Sequence, residues 1–105
     1  MCKFNALHNA NRDRQARVRD HLIQDPVIAE VLRERSVDIL SADLGDVLDA
    51  IIRQLGLPRS LADVRVGRDQ LDMLAANSLH DPMCQTNPVS LTEKGQVLEI
   101  LEMVV

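Results

Sequence analysis

The stretch Ala42 to Pro58, ADLGDVLDAIIRQLGLP, decides the fold class. Leu44, Val47, Leu48, Ile51, Ile52 and Leu55 recur at i, i+3, i+4, i+7, i+8 and i+11, the spacing of one face of an α-helix, while Asp43, Asp46, Asp49 and Arg53 fall opposite. Ser41 is placed to cap this helix, Gly56 to end it in a left-handed turn, and Pro58 cannot continue it. The pattern predicts a helix over about Ala42 to Leu55, with its three aspartates on a solvated face.

The same periodicity extends in both directions. Upstream, Asp25-Pro26 is an N-cap followed by proline at the first helical position, opening a short helix through Val27, Ile28, Val31 and Leu32. Before it, Asn9 or Asn11 opens a helix reaching Ile23. Downstream, Ser60 and Asp63 bracket a single turn over Ser60 to Val64. Gly67 precedes a helix of about Arg68 to Leu79 with Leu71, Leu74, Ala75 and Leu79 on one side. The last helix, about Glu93 to Met103, carries Val97, Leu98, Ile100, Leu101 and Val104 on one face, and either Ser90 (in a capping box with Glu93) or Thr92 starts it. Residues 80–92 are expected to be a connection, because Asp81-Pro82 and Asn87-Pro88 favour extended or turn backbone. No segment has the pattern of a strand. The expected architecture is all-α: a single domain over residues 1–105, a small bundle of about five helices.

Composition narrows the function classes. Phe4 is the only aromatic residue, so the base-stacking platforms of single-strand nucleic-acid binders are missing, and a net charge of -4 opposes general binding of a polyanion. That charge is uneven: Lys3, Arg12, Arg14, Arg17 and Arg19 against Asp13 and Asp20 give residues 1–24 a charge of +3, leaving -7 for the remainder. The interleaved arginines and aspartates fit a solvated helical face, with an acidic partner as the alternative. No apolar run nears the roughly 20 residues of a membrane span, and the polar first residues do not resemble a signal peptide, so a cytoplasmic protein with no membrane partner is expected.

Chemistry-bearing residues form no recognisable set. Cys2, placed in an N-terminal tail, and Cys84, in the long connection, lack CxxC spacing and are expected to be unpaired reduced thiols. His8 and His21 are 13 residues apart, a spacing without local metal-binding logic. His80, near Asp81 and Cys84, is expected to end a helix facing solvent. The glycines stand singly at 45, 56, 67 and 95, so no phosphate-cradling loop is present.

Four segments, in this order, carry a resemblance: Phe4-Asn5, Leu55-Gly56-Leu57-Pro58-Arg59-Ser60-Leu61, Asn87-Pro88-Val89-Ser90-Leu91-Thr92-Glu93, and the terminal helix from Gln96 to Val105. Together they resemble the last part of a group III, iron-containing alcohol dehydrogenase, close to the maleylacetate reductase branch. The resemblance covers nearly the whole chain and is best from Ala42 onward. It implies the C-terminal helical portion of a two-domain, dehydroquinate synthase-like oxidoreductase. In that family an N-terminal α/β domain holds NAD(P) on a glycine-rich loop, and one Asp and three His of the helical domain hold a divalent metal. The last metal histidine precedes a Pro-x-x-x-x-Phe-Asn stretch in which Lys3-Phe4-Asn5 would lie, so the resemblance places every ligand before Met1. His8, His21 and His80 match no ligand position, and no catalytic, cofactor-binding or metal residue is assigned to this chain. Arg65 departs from the family, which often has glycine after the short turn, and a different turn geometry is expected there. The resemblance further implies a truncated helical domain, not catalytic alone, that exposes apolar surface and forms a homo-oligomer or pairs with a full-length relative. The alternatives are a non-catalytic interaction module that pairs with a full-length relative, and an independent small enzyme whose site the sequence does not show.

Overall fold

The computed structural model describes all 105 residues and is all-helical. Seven α-helices follow in order: α1 (Cys2–Leu7), α2 (Arg12–Leu22), α3 (Pro26–Glu34), α4 (Leu44–Gln54), α5 (Leu71–Ser78), α6 (Pro82–Thr86) and α7 (Lys94–Glu102), with single 3₁₀ turns at Ala62–Val64 and Arg68–Gln70. The two helices beyond the expected five are α1 and α6.

Helix α4 forms where its periodicity places it, but its cap is Asp43 rather than Ser41. The Asp43 carboxylate accepts from the Asp46 N–H at 2.9 Å, and the Asp46 carboxylate accepts from the Asp43 N–H at 3.1 Å, a reciprocal box. Ser41 instead donates its hydroxyl to Asp38. At the other end Gly56 is left-handed, with φ of 69°, and the N–H of Leu57 reaches the carbonyl of Ile52, closing a Schellman turn.

Asp25 caps α3 as expected, its carboxylate accepting from Val27 and Ile28. Asn11, not Asn9, precedes α2, and Asn9 takes the left-handed turn between α1 and α2. Asp81-Pro82 opens α6, correcting the reading of residues 80–92 as wholly non-helical. The Asp81 backbone is extended, as a residue before proline must be, while its carboxylate accepts from the Met83 N–H and Pro82 occupies the first helical position. The bracket of Ser60 and Asp63 is present, with Asp63 accepting from the N–H groups of Arg59 and Ser60. Neither Ser90 nor Thr92 caps α7: Gln96 reaches back to accept from the N–H groups of Thr92 and Glu93. Arg65 is held at φ of 63°, the conformation glycine takes at least cost, so an arginine here carries strain of roughly 1–2 kcal/mol.

The apolar faces close into two small cores instead of one. Phe4, Ala75, Leu91 and Val97 join α1, α5 and α7 with the segment after α6, while Leu32, Ala42, Val47 and Ala50 join α3 to α4. Cys2 therefore belongs to a helix and not a tail, because Phe4, fully buried, anchors α1. The body measures 41 × 31 × 20 Å with a radius of gyration of 15.1 Å, against about 13 Å for a compact chain of this length. Its accessible surface is 7131 Å², above the roughly 5,900 Å² typical of a monomer of this mass. Among the apolar side chains Leu40, Leu55, Val27 and Met83 are each more than two-thirds exposed.

Candidate functional site

The two cores leave a cleft of about 440 Å³ between α4, the start of α1 and the end of α7. Its floor is apolar. Leu48 and Ile52 come from α4, whose stripe is wider than α3 can cover, and Ile100, Met103 and Val104 come from the C-terminal end. The Leu61 N–H donates to the Val104 carbonyl at 2.7 Å, so the turn after Pro58 fixes this end of the chain beside α4.

The rim is charged and internally paired. Lys3 Nζ donates to Asp46 Oδ1 at 2.6 Å, Arg53 Nε donates to Asp49 at 2.7 Å, and Arg59 Nε donates to the other oxygen of Asp49. The aspartates expected on a bare solvated face are thus divided: Asp43 caps α4, while Asp46 and Asp49, both half-buried, tie it to α1 and to the turn at Arg59. The missing side chain of Gly45 leaves room for the stem of Lys3. The hydrogen bond that Lys3 donates to Asp46 raises its ammonium above its ordinary value despite partial burial. For Asp46 burial pushes the carboxyl upward, but the bonds from Lys3 and the Asp43 N–H outweigh it and hold the carboxyl low. Apolar area with paired ions suits the packing of another apolar surface.

The remaining chemistry-bearing residues stay apart. His8 pairs with Glu99 at 3.2 Å and lies against the Phe4 ring, His21 sits on the outer face of α2, and His80 is exposed beyond α5. No three His, Cys, Asp or Glu side chains converge as a metal site would require. Cys2 and Cys84 are both free, and the Cys84 thiol donates to the Ser78 carbonyl.

Two segments quoted for the resemblance meet in space. Asn5, the one buried polar residue, exchanges amide hydrogen bonds with Asn87: Asn5 Nδ2 donates to Asn87 Oδ1 at 3.1 Å, and Asn87 Nδ2 donates back at 2.7 Å. This clasp and the Lys3–Asp46 bridge lie outside what periodicity could find, since the partners are 82 and 43 positions apart.

With this geometry in view, the chain is similar to a stretch of known dehydrogenases. It is 36% identical over 106 residues to Dehydrogenase FUM7 of Gibberella moniliformis (strain M3125 / FGSC 7600), covering 96% of this chain and 24% of that protein. It is 42% identical over 74 residues to Dehydrogenase ALT3 of Alternaria alternata, covering 70% of this chain and 19% of that protein. The chain therefore spans about a quarter and a fifth of the lengths of these relatives, in their C-terminal portion. No protein-family model matches the chain, and no solved structure does. No helix is long and apolar enough to cross a membrane.

Proposed function

We propose that this chain is the C-terminal helical segment of an NAD(P)-dependent oxidoreductase of the iron-containing alcohol dehydrogenase or maleylacetate reductase type, and that it does not catalyse alone. The observation that carries the reading is the likeness to two proteins named dehydrogenases, one of them along nearly the whole chain. The order of the LGLP and NP segments supports the narrower family. In such an enzyme nucleotide and divalent metal would be held by residues outside this chain. The role of this segment would be to pack its apolar cleft, ringed by paired ions, against the rest of the enzyme. An assembly with a second copy or with a full-length relative would use the same open surface.

A chimera tests this reading. Exchanging the matching C-terminal stretch of a full-length relative for this chain should preserve folding, nicotinamide binding and turnover within about tenfold, one step of about 1.4 kcal/mol. Isothermal titration of the isolated chain with NADH, NADPH, zinc and ferrous iron should give no saturable micromolar signal. A chimera that folds and binds nucleotide but shows no turnover, or stoichiometric nucleotide binding by the isolated chain, overturns the proposal.

A further inference from the structure

We infer that the outer face of α2 is a docking surface for an acidic, amphipathic segment of a partner protein, independently of the dehydrogenase reading. Arg14, Arg17, Val18 and His21 fall at i, i+3, i+4 and i+7 and line, with Leu22, a shallow depression of about 450 Å³. Most other arginines are engaged by their own chain: Arg19 donates to the carbonyls of Ile39 and Ala42, Arg35 to Gln54, and Arg59 to Asp49. Arg14 and Arg17 donate to nothing in this structure and have no carboxylate within ion-pair distance.

Helix α2 is also lightly packed. None of its residues is buried, and Val18 is half exposed. A helix of eleven residues is marginal unless tertiary packing supports it. This one is attached at its C-terminal end by Leu22, which packs against the α3–α4 core, and by two polar contacts, the Arg19 guanidinium and the Gln15 amide, which donates to the Cys2 carbonyl. Its outward side is thus a free patch of two guanidiniums beside a small apolar strip, which matches a partner presenting carboxylates flanking an apolar residue. The patch spans two helical turns, about 10 Å, and offers few of the phosphate contacts that nucleic-acid binding accumulates. The charge of -7 on residues 25–105 would repel an extended polyanion, whereas a short acidic segment engages α2 alone.

The test uses the full chain and a fluorescein-labelled, roughly twenty-residue helical peptide with glutamates flanking a leucine stripe, read by anisotropy at low salt. The expected result is saturable binding weakened about tenfold or more in Arg14→Glu/Arg17→Glu, since like charges at a contact are strongly unfavourable. Binding should be retained in Arg65→Glu, which reverses another arginine without a partner. Circular dichroism confirms that each variant keeps its helices. Absence of saturable binding, or equal loss in both variants, overturns the inference. So does tighter, equally Arg14- and Arg17-dependent binding of heparin or phosphatidylserine vesicles, which would make the face a general anion surface. A dimer seen by light scattering that the double reversal dissolves would assign the face to a second copy and likewise overturn it.

Discussion

The clasp between Asn5 and Asn87 should be worth more than either residue's propensity and should show it as coupling. Asn5 is 5% exposed and makes two amide bonds to Asn87, with a longer third contact from the Val89 N–H at 3.4 Å. Asn5→Ala deletes all of these and leaves Asn87 Oδ1 without its donor. Asn87 is half-buried and keeps its bond to the Val89 carbonyl, so water relieves part of the penalty. At about 1 kcal/mol net for each bond, the single substitution should cost about 2 kcal/mol. Asn87→Ala should cost a similar amount by stranding the more deeply buried Asn5. Once one partner is gone the other has little left to lose, so the double variant should cost about 1–2 kcal/mol less than the sum of the singles. Urea denaturation followed by circular dichroism gives the values, provided the slopes stay equal so that midpoints report stability alone. Additive losses, or singles below about 0.5 kcal/mol, would refute the reasoning by showing that water already satisfies both amides.

Gly56→Val should destabilise more than Ser60→Ala. A side chain at Gly56 meets open space, so the penalty is the left-handed backbone alone, about 1–2 kcal/mol, whereas Ser60 gives up its exposed hydroxyl contacts with the Asp63 N–H and carboxylate, about 1 kcal/mol or less; equal denaturation midpoints would place the helix end elsewhere. Stability should also fall on acidification. The backbone N–H groups of Arg59 and Ser60 and the Ser60 hydroxyl hold Asp63 below its ordinary value, and Asp46 is likewise lowered, so the stability these carboxylates lend is intact above about pH 4 and disappears as they protonate below it. Lys3 is raised, so the contribution of its bridge is present below about pH 10 and is lost as pH rises past its folded value. Midpoints measured from pH 3 to 11 in the native chain and in Lys3→Met should differ most between those limits, and parallel flat profiles would count against the bridge.

What was legible from sequence is what local chemistry decides. Gly56 and the Asp25-Pro26 cap were found because a left-handed turn and a helix start each depend on residues within a few positions. The same Asp-Pro signal at Asp81 reads as a turn in the sequence, because the five helical residues after it are too few to show a period. Helix α1 has no side-chain cap and only six residues, and it exists because Phe4 is swallowed by a core built from α5 and α7, some seventy to ninety residues away. Sequence periodicity carries no record of that contact. Ser41 has a capping side chain in a plausible place, but Asp43 and Asp46 bond each other's backbone N–H two residues later and start the helix there.

The width of the α4 stripe held the remaining signal. Val47 and Ala50 are buried with Leu32 of α3, and a helix meeting one neighbour needs little more. Yet the apolar positions continue round to Leu48, Ile52 and Leu55, the last 68% exposed. The stripe is broader than α3 covers: α1 and α2 also pack against α4, and the end of the chain brings Ile100, Met103 and Val104 to the far side, leaving the cleft between them open. An isolated small domain would gain by narrowing the stripe with a charge at Leu48 or Ile52, since unpaired apolar area invites association. The charges beside it are paired, Lys3 with Asp46 and Asp49 with Arg53 and Arg59, so a surface laid over the cleft would strand none of these ions.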